Sequence, residues 1–110
     1  MFKSTTPAVE LAALPADGYL LDVREADEWV AGHAPEAVHL PLSELMSRVD
    51  EVPDDRDVYV VCKAGGRSEQ AVRYLNQLGR NTVNVSGGML AWHAAGRPMV
   101  SEAGEQPFVA

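Results

Sequence analysis

Cysteine is all but missing from this chain: Cys62 is the only one in 110 residues. No disulfide can close within the chain, which suits a reducing compartment. Long apolar runs are missing too, so nothing in the sequence could span a bilayer. The opening MFKSTTPAVE has no apolar segment of the secretory type, and a cytoplasmic location is expected. Positive charge is scarce, with 9 Lys and Arg against 16 Asp and Glu and a net charge of −7. That balance argues against nucleic acid and anionic membrane surfaces as partners. Internal repeats, low-complexity tracts and interdomain linkers are also lacking.

What is present is the composition of one globular domain. A chain of this length is too short for two proper cores. One core of this size buries roughly two-thirds of the unfolded surface, so neither a metal nor disulfides are needed for folding. The expected organisation is a single domain over 1–110, with a core over about 5–98 and a carboxyl-terminal tail at 99–110. The tail shows no periodicity and is expected to attach loosely.

Short apolar runs alternate with stretches of helical period. YLLDV (19–23), AVHL (37–40) and VYVV (58–61) are apolar at nearly every position, as strands buried on both faces tend to be, and TVNV (82–85) is a weaker fourth. A further short strand is expected near Phe2–Thr5. Pro7 suits the first turn of a helix through AVELAAL, with Thr6 as its cap. EADEWVAG reads as a short helix closed by Gly32. In LSELMSRV, Leu42, Leu45 and Met46 share a face that Val49 continues. SEQAVRYLNQLG is the clearest helix, with Ala71, Val72, Leu75 and Leu78 as its apolar stripe and Gly79 at its end. GMLAWHAAG closes the series. Strand and helix alternating in this way imply an α/β fold, a parallel sheet with helices on both faces.

The one thiol lies in CKAGGRS (62–68), between the strand VYVV and the helix that follows. Open parallel sheets bind ligands beyond the carboxyl ends of their strands. A helix start adds unpaired amides and the positive end of a dipole, which lower a thiol pKa from its free value of about 8.5. Gly65 and Gly66 let the backbone curl so that successive amides point inward. Lys63 and Arg67 add full charges. Residues 62–80 carry a local excess of three positive charges in an otherwise acidic chain, although Arg73 and Arg80 read as a solvated helix face. Taken singly, the cysteine reads as a small buried apolar side chain and the glycines as a tight turn. Together, nucleophile, curled loop, cations and helix start follow the order that a thiolate anion site requires.

Along nearly its whole length the chain resembles the rhodanese family. LLDVREADEWVAGHAPEAVHLPL (20–42) is similar to the family's first signature, VYVVCKAGGRS to its active-site strand and loop, and VNVSGGMLAW (83–92) to its closing Gly-Gly segment. The resemblance implies a central parallel sheet of about five strands and a thiosulfate sulfurtransferase activity. Cys62 would take sulfane sulfur from a donor such as thiosulfate, hold it as a persulfide, and pass it to cyanide or a thiol. The amides of Ala64, Gly65, Gly66, Arg67 and Ser68 would cradle the donor or persulfide, with Lys63 and Arg67 drawing the anionic donor. No cofactor or metal is implied. The alternative is a sulfur-relay or interaction module served by a protein donor or acceptor, with little turnover of small molecules. A cysteine phosphatase or arsenate reductase is the lesser alternative. Those relatives use Cys-x5-Arg, whereas the loop here is Cys-x4-Arg and Ser68 stands where their arginine would fall. The signature also departs from the usual Gly-His-Ile-Pro-Gly-Ala, with Ala34 and Glu36 replacing Ile and Gly, which puts the backbone at Glu36 in question.

His33, His39 and His93 lack metal-ligand spacing and read as structural or surface residues. Asp22 and Arg24, at the same sheet edge as Cys62, read as an ion pair holding the next turn, with orientation of Arg67 or a loop amide as the other reading. Trp29 and Trp92 read as core residues, and Gly87–Gly88 as a tight strand-to-helix turn.

Overall fold

In the computed structural model, which describes residues 6–110, the apolar runs lie side by side as one parallel sheet. Its strands are β1 (Ala8–Val9), β2 (Tyr19–Asp22), β3 (Val38–His39), β4 (Asp57–Val61) and β5 (Asn81–Val85), in the order β1-β5-β4-β2-β3. The helices are α1 (Ala26–Ala31), α2 (Leu42–Leu45), which runs on as a 3-10 turn over Met46–Glu51, α3 (Gly66–Gln77) and α4 (Gly88–Ala94). The strand carrying the thiol is therefore central, with β5 on one side and β2 on the other.

Alternate residues of β4 feed two separate cores. Val58 and Val60, followed by Cys62, pack with Leu45, Ala71, Val72 and Leu75 under α2 and α3. Tyr59 and Val61 face the opposite layer with Leu20, Val85, Met89 and Trp92. Burial on both faces is why these strands are almost continuously apolar.

Several features differ from the sequence reading. Residues 8–14 do not form a helix. Ala8–Val9 pairs in parallel with β5, and a 3-10 turn follows at Leu11–Ala13. The outer edge of β5 presents amides that need acceptors, and Asn84 and Ser86 find them in the carbonyls of Pro7 and Val9, each at 2.9 Å. The strand expected near Phe2–Thr5 lies outside the described residues. Met46 does not join Leu45 in the core, because the α-helix tightens to 3-10 geometry at that residue and leaves Met46 73% exposed. Similarly, α3 ends at Gln77 and leaves Leu78 exposed.

The tail also differs from expectation, because it is strapped down. Val100 and His33 exchange backbone hydrogen bonds of 2.9 Å, the Glu102 amide donates to Val30, and the Phe108 amide donates to Ala31. The Glu102 carboxylate accepts from His33 Nε2 at 2.8 Å, and Met99 and Val109 pack onto the second core. Gly32 makes this contact feasible, since a Cβ there would lie 2.5 Å from the Phe108 carbonyl oxygen. Glu36 takes an ordinary backbone, as no described residue other than glycine has a positive φ. Trp92 is a core residue, whereas Trp29 is only half-buried and lies stacked against His33 and His39. Among the described residues no helix is long and apolar enough to cross a membrane.

Candidate active site

Cys62 leaves the carboxyl end of β4 with only 1% of its surface exposed. The chain then has to turn sharply into α3, and Gly65, at φ 126, supplies the turn. That turn aims the Gly65 amide at the cysteine sulfur, with N to Sγ at 3.0 Å. The Ser68 hydroxyl, one turn into α3, lies 3.3 Å from the same sulfur. Burial by itself pushes the Cys62 thiol up. The Ser68 hydroxyl and the amides of Ser68, Gly65 and Ala64 outweigh it and hold the thiol below its ordinary value.

The carbonyl side of the loop is tied elsewhere. The first amides of α4 donate to it, Met89 to the Cys62 carbonyl at 2.8 Å and Leu90 to the Lys63 carbonyl at 3.0 Å. Peptide planes are rigid, so drawing these carbonyls toward α4 turns the next amides the other way, toward the sulfur. The close approach requires glycine. A Cβ on Gly88 would lie 2.4 Å from the Cys62 carbonyl oxygen and 2.5 Å from that of Lys63. Gly87–Gly88 is thus a strand-to-helix turn, and it also clamps the backbone of the thiol loop.

Arg67 does not present a free charge to the sulfur. Its guanidinium grips Glu28 of α1 through two hydrogen bonds, of 2.6 and 2.8 Å. Glu28 also accepts the Glu25 amide at 3.0 Å, closing the cap of its own helix. The Arg67 hydrogen bond is the main reason that the Glu28 carboxyl falls from 4.5 to about 2, against a smaller opposing effect of burial. Because the folded pKa lies below the unfolded one, the pair's contribution is complete above about pH 4.5 and is lost as the pH falls through about 2. Its size is on the order of 1 kcal/mol, since Arg67 keeps solvent contact. Glu28→Gln should therefore be less stable than the parent at neutral pH, and the two should converge on acidification. Denaturant midpoints across that range measure it. A constant gap at every pH would mean that the ionised carboxylate contributes nothing.

With Arg67 engaged, Lys63 is the loop cation that makes no ion pair among the described residues. Ala64 and Gly66 lie on the exposed side of the loop, and Ser68 is buried at its base. Asp22 and Arg24 form the ion pair expected of them. Arg24 Nε lies 3.0 and 3.1 Å from the two Asp22 carboxylate oxygens and Nη2 donates at 2.8 Å, with both side chains fully buried. Arg24 Nη2 also holds the Gly32 carbonyl at 2.8 Å, so the pair fixes both ends of α1 and, through α1, the position of Glu28.

Glu28 and Asn84 are the site residues that motif reading passes over. The Asn84 amide, on β5, accepts from the Ser68 hydroxyl at 2.6 Å and donates to the Gly65 carbonyl at 3.3 Å. Its one sequence signal is a polar residue inside the apolar run TVNV. Among the described residues no group of three His, Cys, Asp or Glu is placed to hold a metal. A separate cleft of about 580 Å³ opens at the amino-terminal end of the sheet, between Leu14, Leu20, Ala34, Trp92 and Arg97. No cysteine, serine or histidine lines it.

The sequence and the fold are similar to those of known proteins. The sequence matches the family model of the Rhodanese-like domain over residues 7–95. It is 42% identical over 89 residues to a sulfurtransferase of Allochromatium vinosum, covering 80% of this chain and 83% of the other. A rhodanese-related protein from Thermoplasma volcanium superposes with a TM-score of 0.81 at 35% identity, covering 86% of this chain and 97% of that one. A NAD-dependent persulfide reductase from A. fulgidus carries a similar unit, with a TM-score of 0.66 at 33% identity. There the match covers 78% of this chain but only 16% of the reductase. Five parallel strands, a thiol loop at the end of the central one, and a match along most of the chain agree: the protein belongs to the rhodanese-like domain family, among sulfurtransferases.

Proposed function

We propose that this protein transfers sulfane sulfur through a persulfide on Cys62, with thiosulfate as a competent donor and cyanide or a thiol as acceptor. The carrying observation is the convergence of the Gly65 amide and the Ser68 hydroxyl on a single buried sulfur. Such donors favour the thiolate, which is the nucleophilic form. In the loading step the Cys62 thiolate attacks the outer sulfur of thiosulfate. A new S–S bond forms, the old one breaks, and sulfite leaves with the electron pair. In the second step the acceptor's lone pair attacks the outer sulfur of the persulfide, and the Cys62 thiolate is regenerated. No oxidant or reductant is consumed, and the two half-reactions predict ping-pong kinetics.

Inward amides of residues 64–68 would hold the donor's anionic end, and Lys63 would supply the attracting charge. Arg67 serves this step indirectly, by bracing α3 against α1. An arginine already held by a carboxylate on two hydrogen bonds is poorly suited to clamp a phosphate or arsenate. Together with the short Cys-x4-Arg loop, this favours sulfur over either oxyanion as cargo.

A protein donor or acceptor is the second reading, favoured by the persulfide reductase whose chain contains a unit of this kind. Intact mass spectrometry after incubation with thiosulfate should show one added sulfur, lost again on treatment with cyanide. Loading by a protein persulfide but not by thiosulfate would select the relay reading. No adduct from either donor would overturn both.

A further inference from the structure

Ser68 has one hydroxyl hydrogen and three acceptors within reach. Asn84 Oδ1 lies at 2.6 Å, the Gly65 carbonyl at 3.2 Å and Cys62 Sγ at 3.3 Å. The Asn84 amide can face only one way here. Its Nδ2 must point at the Gly65 carbonyl, 3.3 Å away, because a flipped amide would set oxygen against oxygen. Asn84 Oδ1 is therefore held against the Ser68 hydroxyl, in a position that is 9% exposed.

From this geometry we infer that Asn84 is a positioning residue for the sulfur chemistry, competing with Cys62 for the single hydrogen of Ser68. The inference rests on the sulfur-transfer reading of the same loop and adds the control of its nucleophile. A neutral thiol or the inner sulfur of a persulfide is a weak acceptor, so in those states the hydrogen stays with the amide. When Cys62 becomes a thiolate, a charge-assisted bond to sulfur becomes the stronger choice and the hydrogen moves over. That move leaves Asn84 Oδ1 short of a donor, a cost borne only by the thiolate state. Asn84 thus keeps the thiol pKa from falling as far as the loop amides would take it. A sulfur of higher pKa attacks a donor faster per thiolate and departs more slowly from its persulfide.

The charged groups at this end of the sheet are Lys63, Arg67 and Glu69 from the loop and α3, Glu25 and Glu28 from α1, and the Asp22–Arg24 pair after β2. On the other flank, the residues from Ser86 to Leu90 carry no charge. All of these remain unchanged when Asn84 alone is replaced.

The test is the thiol pKa of the unloaded protein, read from the pH dependence of alkylation and of thiolate ultraviolet absorbance. Asn84→Ala should lower it by about 0.5–1 pH unit, the worth of one net hydrogen bond. Asn84→Asp should raise it by about one unit or more, because a carboxylate both captures the hydrogen and repels the thiolate. Loading by thiosulfate, per thiolate, should slow about two- to threefold in Asn84→Ala. In a Ser68→Ala background, Asn84→Ala should leave the pKa where Ser68→Ala alone puts it. A loss of packing would not move the pKa in opposite directions for the two variants.

Shifts of the same sign, no shift in either variant, or a full Asn84→Ala shift without the serine would overturn the inference. Should Asn84→Ala fail to fold, the isosteric Asn84→Asp decides it: its upward shift should shrink in a Ser68→Ala background, and an undiminished shift there would overturn the inference. The pKa readings need no sulfur donor. The parent protein's failure to gain sulfur would instead count against the transfer reading alone.

Discussion

Replacing Cys62 with serine should abolish persulfide formation and reduce sulfur transfer by at least about a thousandfold, while the fold survives. Serine is smaller than cysteine by little, and its hydroxyl meets partners already in place, the Gly65 amide and the Ser68 hydroxyl. What it lacks is an anionic form. Donors that bring a thiol into the working pH range leave an alcohol fully protonated, and oxygen cannot form the S–S bond that stores the cargo. Steady-state transfer, intact mass after thiosulfate, and circular dichroism for the fold provide the measurements. Full transfer by the serine variant would move the chemistry to another residue, and no other thiol exists in the chain.

The largest effect on stability should come from Asp22→Ala. Arg24 is fully buried and its charge is balanced by one carboxylate. Removing that carboxylate strands a guanidinium whose Nη1 already lacks a hydrogen-bond partner among the described residues. Breaking a buried pair from one side typically costs about 3–5 kcal/mol, a large share of the roughly 5–15 kcal/mol that holds a domain together. Asp22→Asn, which keeps acceptor oxygen but not charge, should fall between. Replacing both partners with apolar residues of similar volume should recover much of the loss. Urea midpoints report this, and a loss below about 1 kcal/mol for Asp22→Ala would mean that the pair behaves as an exposed one. Activity should fall with stability, because the pair holds α1 and α1 carries Glu28.

Much of the α/β pattern can be read directly from residue order. Strands buried on two faces are apolar throughout, and a helix such as α3 shows its period in Ala71, Val72 and Leu75. The thiol loop is legible because its parts are contiguous. What escapes such reading is contact between distant positions. Arg67 looks like a free cation until Glu28, far back in the chain, is seen to hold it. Asn84 is a lone polar residue in a strand, with no motif to single it out. Ala8–Val9 looks helical because Pro7 precedes an apolar run, and only the open edge of β5 decides otherwise. The tail lacks period because separate residues, not a regular face, pin it to α1.

That pinning links the carboxyl-terminal segment to the thiol loop. A pull at Ala110 is transmitted through Phe108, Glu102 and Val100 to α1 and the residues after it. From there it reaches α3 along the Glu28–Arg67 bridge. A surface attachment at that end would load the Glu28–Arg67 brace beside Cys62.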